Sequence, residues 1–176
     1  MPRKPTVNTA LEPLAKPLAA DLASPVGTLI ARHTYLDWAL GQVMYNLMEI
    51  SMKQGRVIMK LPRPRVYIAA VRELLEFHKL SVKFDFEGLA EKLEAADRAR
   101  REVTRSIYMV DSDDGTIHLS RSPWDPGPGG DTQPESQALD SRFFTQKRKD
   151  IEDAVAAAEK LRALTDKLLR NKHRSK

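Results

Sequence analysis

A chain of 176 residues is long enough for one domain with a real core and short for two. Hydrophobic residues at 41% and charged residues at 30% place it with ordinary globular proteins, and a formal charge of +5 permits an anionic partner without demanding one. No apolar stretch is long enough to span a bilayer, and no apolar segment of signal type follows Met1-Pro2-Arg3-Lys4-Pro5, so no membrane association is expected and the expected compartment is the cytoplasm. The absence of cysteine excludes disulfides and thiolate metal sites.

Residues 1–20 carry Pro2, Pro5, Pro13 and Pro17, which regular helix does not accommodate, and read as a flexible arm. Ser24-Pro25 is a helix start, with a hydroxyl N-cap and proline at the first helical position. From it Val26, Leu29, Ile30, His33, Leu36, Leu40, Val43, Met44, Leu47 and Met48 recur at helical spacing, and Gly55 suits a stop. After Pro62 and Pro64 a second helix is expected over residues 65–80, burying Val66, Ala70, Val71, Leu74 and Leu75. A third begins after the carboxylate cap Asp85, with a stripe of Phe86, Leu89, Ala90, Leu93, Ala96, Val103 and Ile107. The period then changes. Residues 107–110 and 116–119, joined through Asp114-Gly115, predict a small hairpin. Residues 122–139 are rich in proline and glycine and read as an extended connection. A last helix is expected over residues 140–172, ahead of a basic tail at 173–176. The fold class is therefore mainly α: a four-helix bundle over residues 21–172, with a small β-hairpin inserted before the last long helix.

On a wheel of the third helix Arg100 falls near the middle of the apolar arc, while Arg98, Arg101 and Arg105 flank it. A guanidinium turned toward a core needs a carboxylate, or else it faces a cleft or an interface. The first helix offers Asp37 at the edge of its apolar arc and His33 at the centre; Asp97, one turn before Arg100, is the local competitor. Two readings follow. One is a structural ion pair, Asp37 with Arg100; the other is a phosphate-binding arginine oriented by Asp37.

The element order, with "IARHTYLDWALGQVMYNLMEI" as first helix and "FFTQKRKDIEDAVAAAEKLRALTDKLL" as last, resembles the HEPN superfamily of small helical bundles. It resembles in particular a bacterial branch whose third helix carries "RNxxxHS" followed by an aromatic residue. This chain has Arg100-Arg101-Glu102-Val103-Thr104-Arg105-Ser106-Ile107-Tyr108 in that place. The resemblance covers roughly residues 24–170. It implies a dimer of metal-independent ribonuclease ancestry, in which the arginine stabilises the scissile phosphate and the histidine moves a proton. Arg100 matches that arginine, and Ser106 and Tyr108 match the residues after the histidine. Arg105 stands at the histidine position and Arg101 at the asparagine position. An arginine stays protonated and cannot shuttle a proton, yet binds phosphate well. The expectation is lost catalysis with retained anion affinity, unless His33 or His118 substitutes.

Asp111, Asp113 and Asp114 do not form a calcium loop, since Gly115 falls fifth rather than sixth and Ser122 stands where an acid is needed. No HExxH, glycine-rich phosphate loop or GxSxG elbow occurs, so neither a metal nor an organic cofactor is expected. The ligand expected is RNA or another phosphate-bearing molecule. Arg98, Arg100, Arg101 and Arg105 are the binding residues, with His33, Asp37 and Tyr108 in support and no catalytic residue assigned. A homodimer is the expected assembly, because the long last helix offers more apolar surface than its shorter neighbours cover. The competing expectation is a helical protein-protein interaction module without a nucleic-acid ligand.

Overall fold

The structure is a computed structural model and describes residues 11–14, 18, 20–58, 63–121 and 136–174. Most of the proline-containing arm, Pro62, residues 122–135 of the expected connection and the last two residues of the tail lie outside the described residues. In chain order the elements are β1 (Leu11–Pro13), α1 (Ala20–Leu47), α2 (Met52–Ile58), α3 (Pro64–Phe77), α4 (Phe86–Arg105), β2 (Ser106–Asp111), β3 (Ile117–Arg121), β4 (Ser136–Ala138) and α5 (Ser141–Arg174). The fold is mainly helical with a small antiparallel sheet, three of whose strands lie between α4 and α5, as the pattern of hydrophobic periods predicts. No described helix is long and apolar enough to cross a membrane.

The helices begin and end for local reasons. Asp85 caps α4, its carboxylate accepting from the Gly88 amide at 2.9 Å, and Asp140 caps α5 by accepting from the Phe143 amide at 2.7 Å. Helix α1 starts earlier than Ser24-Pro25 suggests, at Ala20, and carries Pro25 inside it. Pro25 has no N–H, so the helix forgoes only the bond to Asp21, an exposed residue near its open end. Nor does α1 run to Gly55. It closes at Leu47 through a left-handed Glu49 (φ 55°), with the Ile50 amide donating to Tyr45 O at 3.0 Å and the Glu49 amide to Asn46 O. The short helix α2 then restarts on a capping box, in which Gln54 Oε1 accepts from the Ser51 amide at 2.9 Å and Ser51 Oγ accepts from the Gln54 amide. Gly55 sits within α2 because it backs onto Tyr45, where a β-carbon would lie 2.2 Å from the ring. Helix α3 ends like α1, through a left-handed Lys79 (φ 56°) with the Leu80 amide donating to Leu75 O.

The chain divides into two compact units. The helical unit comprises Gly27–Arg100 and Lys147–Lys176. Its core is built from Leu36, Val43 and Leu47 of α1, Tyr67 and Val71 of α3, Leu89 and Ala96 of α4, and Ile151 and Leu161 of α5. Each large aliphatic side chain withdrawn from water contributes about 1.5–3 kcal/mol, which makes this core the main stabilising term. Polar links run between the same helices. Tyr67 donates its hydroxyl to Leu40 O at 3.2 Å, Asn46 donates to Asp166 at 2.7 Å, and Arg65 of α3 reaches Glu87 and Glu94 of α4 at 2.8 and 2.9 Å. The expected inward positions of α3 need correction. Val66 is 57% exposed, while Tyr67 and Ile68 are buried. At 100° per residue Val66 lies about 140° from the centre of the arc of Tyr67, Val71 and Leu75. Ile30 of α1 is likewise exposed rather than inward.

The second unit comprises Met1–Val26 and Arg101–Gln146 and carries the sheet, in the order β1-β2-β3-β4. The predicted hairpin is its centre, with Met109 opposite His118 and Val110 opposite Ile117. Gly115 takes φ 74° in the turn, a conformation suited to glycine, and Asp111 O accepts from its amide at 2.8 Å. Two outer strands were not legible in the pattern. β1, from the expected arm, pairs Glu12 with Val110, and β4 pairs Gln137 with Leu119. Ile107, expected both at the end of the third helix's stripe and at the start of the hairpin, belongs to β2 and is 39% exposed.

Candidate functional site

A cleft of about 460 Å³ opens in the helical unit among α1, α3 and α4. Its floor is apolar, from Leu36 and Leu40 of α1, Tyr67 of α3 and Leu93 of α4. Its rim is polar, from His33, Asp37, Arg63, Asp97 and Arg100. Three of the residues singled out by sequence, His33, Asp37 and Arg100, are thus brought together.

Helix geometry sets each rim pair. His33 and Asp37 stand four residues apart on one face of α1, and the imidazole Nδ1 lies 3.4 Å from Asp37 Oδ2. His33 is 7% exposed, so the imidazole sits in a restricted environment. Arg100 and Asp97 are three apart on α4, with Nη2 at 3.1 Å from Oδ1. The carboxylate that holds Arg100 is therefore Asp97's, and the expected Asp37–Arg100 pair gives way to two local pairs. The reason is distance along the helix: a partner one turn away needs no tertiary closure. Arg100 is also half-buried, its side chain 38% exposed, rather than sealed in the core.

Arg63 and Tyr67 are the cleft residues that the sequence pattern did not single out. Pro64 occupies the first position of α3, which places Arg63 at the N-cap with extended backbone. Among the described residues no side chain caps this end, where the first amides of a helix carry unsatisfied N–H groups and positive partial charge. Among the described residues no carboxylate holds the Arg63 guanidinium. The signal for it was the Arg63-Pro64 pair itself, which reads locally as punctuation. Tyr67 is buried, its hydroxyl donating to Leu40 O, and burial pushes its ionisation far above the ordinary phenol range. It supports the floor as a neutral donor.

The other singled-out residues lie elsewhere. Arg98 is exposed on α4, and neither it nor Arg101 nor Arg105 lines the cleft. Arg101 and Arg105 are exposed and belong to the sheet-bearing unit. So does Tyr108, which donates its hydroxyl to Val103 O at 2.8 Å; burial raises its ionisation too. His118 stands in β3, opposite Met109 and Ala138, with a buried Nδ1. His33 is the histidine of the cleft. Among the described residues no three His, Asp or Glu side chains converge as a metal set.

No family model matches the chain, and neither the curated proteins nor the solved structures include a match. What the fold and the cleft define on their own terms is a mainly helical protein whose cleft sets two arginines, two aspartates and a histidine around an apolar floor.

Proposed function

We propose that the protein is a catalytically degenerate HEPN-like helical protein that binds RNA or another phosphate-bearing ligand at the Arg100 cleft. The observation that carries this reading is that Arg100 and a second arginine, Arg63, line the same cleft. A guanidinium presents five donors in a planar fork that matches phosphate oxygens, and Asp97 accepts from Arg100 Nη2 at 3.1 Å, which helps to orient that plane. Exposed Arg98, Arg101 and Arg105 add positive charge along α4 and favour approach of an anion. Arg105 in the place of the motif histidine is what makes the reading a binding one. The homodimer belongs to the same proposal, and light scattering on the purified protein tests it.

The test is fluorescence anisotropy of a labelled single-stranded RNA at low and moderate salt, followed by a denaturing gel of the same sample. Binding that weakens with salt, falls in Arg100→Gln and leaves the RNA intact supports the reading. Absence of binding at low salt overturns it and favours the interaction module, for which exposed Val66 and Phe77 of α3 are the first surface to probe.

A second reading rests on His33. An imidazole held by Asp37 on the same rim as Arg100 is a proton donor and acceptor next to a phosphate binder. Cleaved RNA in the same assay, with cleavage lost in His33→Gln, would establish an active ribonuclease with a displaced histidine.

A further inference from the structure

His78, the residue that follows α3, sits between the ends of two other helices of the same unit. Its Nε2 bonds Leu47 O, the last carbonyl of α1, and its Nδ1 lies 2.7 Å from Lys172 Nζ in the last turn of α5. A carbonyl only accepts and an ammonium only donates. The ring is therefore the neutral tautomer with its proton on Nε2, and its Nδ1 lone pair accepts from Lys172. We infer that His78 is a proton-operated switch: its neutral ring ties the last turn of α5 to the ends of α1 and α3, and its protonated ring exchanges Lys172 for Glu49.

Three features carry this. Proton uptake turns Nδ1 from acceptor into donor and sets a second positive charge against the ammonium, so both the hydrogen bond and the Coulomb energy turn against Lys172. A replacement already stands beside the pair. Glu49 Oε1 lies 3.8 Å from His78 Nδ1 and 3.9 Å from Lys172 Nζ, outside hydrogen-bond length of either. Its backbone is set there by the left-handed turn that closes α1. Exposure then decides which cation leaves. The His78 side chain is 7% exposed and needs a protein acceptor for a new N–H, whereas that of Lys172 is 26% exposed and can turn to water. Among the described residues Glu49 and Lys172 are the charged groups that reach the ring nitrogens. Glu76 and Lys79, flanking His78 in the chain, are exposed, and Asp166 and Arg170 of α5 line a cavity that Glu49 shares. Asp166 there accepts from Asn46.

The test is nitrogen NMR of the His78 ring in the full chain, with amide hydrogen exchange along α5 corrected for the intrinsic effect of pH, at pH 8 and pH 5. At pH 8 the ring should be neutral and protonated on Nε2. At pH 5 it should be doubly protonated, and protection at residues 170–174 should fall by about tenfold or more while that at residues 151–161 holds. His78→Gln supplies one donor and one acceptor and takes up no proton, so it should keep the protection at both pH values. Lys172→Met should show low protection at residues 170–174 at both. A ring protonated on Nδ1 alone at pH 8, or still neutral at pH 5, overturns the inference. So does a ring that gains its proton while residues 170–174 keep their protection. A loss of protection that survives in His78→Gln belongs to another group and overturns the assignment to His78. A Lys172→Met variant protected like the wild type at pH 8 shows that Lys172 holds nothing in place, and overturns it as well.

Discussion

Tyr35 on α1 donates its phenolic proton to Glu159 on α5 across 2.6 Å, joining residues 124 positions apart, and Arg162 grips the same carboxylate at 2.7 Å. Burial pushes the Glu159 carboxyl up, but the bonds from Tyr35 and Arg162 outweigh it and leave the group below the ordinary carboxylate range. The hydrogen bond to Glu159, with smaller help from desolvation, raises Tyr35.

The signs set a pH window. A carboxyl lowered in the folded state contributes stability above its unfolded pKa, about 4.3, and that contribution is lost as pH falls through the folded value. A raised tyrosine contributes below its unfolded pKa, about 10, and loses its share as pH rises beyond it. Urea midpoints measured across pH should fall at both extremes, and the acid limb should be shallower in Glu159→Gln. An unchanged acid limb in that variant would assign the acid sensitivity to other carboxylates.

Gly55 and Tyr45 form a second pair that can be tested. A β-carbon at Gly55 would lie 2.2 Å from the ring, so Gly55→Ala must displace the aromatic side chain. Overpacking of this kind costs about 1–3 kcal/mol, and the helix propensity of alanine returns up to about 1 kcal/mol. The net effect is destabilising, read as a lower urea midpoint. In a Tyr45→Ala background the clash disappears and the sign should reverse.

Lys79 closes α3 in the left-handed region at φ 56°. That conformation costs a non-glycine residue about 1 kcal/mol or more, offset in part by the greater unfolded freedom of glycine. Lys79→Gly should therefore stabilise the protein by about 0.5–1 kcal/mol, visible as a raised thermal midpoint. Lys79→Val should lower it.

Arg100→Gln should reduce RNA affinity and also flatten its dependence on salt, by about 0.7 in the log–log slope for each phosphate of a single strand that is no longer neutralised. Asp97→Asn should leave the slope close to that of the wild type while changing affinity, because it alters how the guanidinium is held rather than its charge. Identical slopes for the wild type and Arg100→Gln would show that Arg100 neutralises no phosphate.

Long elements were legible because burial imposes period on sequence. The Leu36–Leu40–Val43–Leu47 stripe and the Leu89–Leu93–Ala96 stripe each fit a single helical face, and the cap Asp85 announces where α4 begins. The hairpin was legible through Asp114-Gly115. The short outer strands were not. Three residues give too few alternations to show a period, and β1 and β4 exist through pairing with β2 and β3. The restart at α2 was hidden for a different reason: Gly55 reads locally as a stop, and only its packing against Tyr45 explains why a glycine sits inside a helix.

Order and spacing along the chain were enough to dictate the fold class and to set Asp37 one turn from His33 and Asp97 one turn from Arg100, while leaving Arg100 a choice between Asp37 and Asp97. A helix converts such spacing directly into distance. That Arg63 and Arg100 line one cleft came from tertiary packing alone. Neighbourhood across helices depends on how their faces meet. Arg63 lies 37 positions from Arg100, and no period in the sequence records that separation being closed.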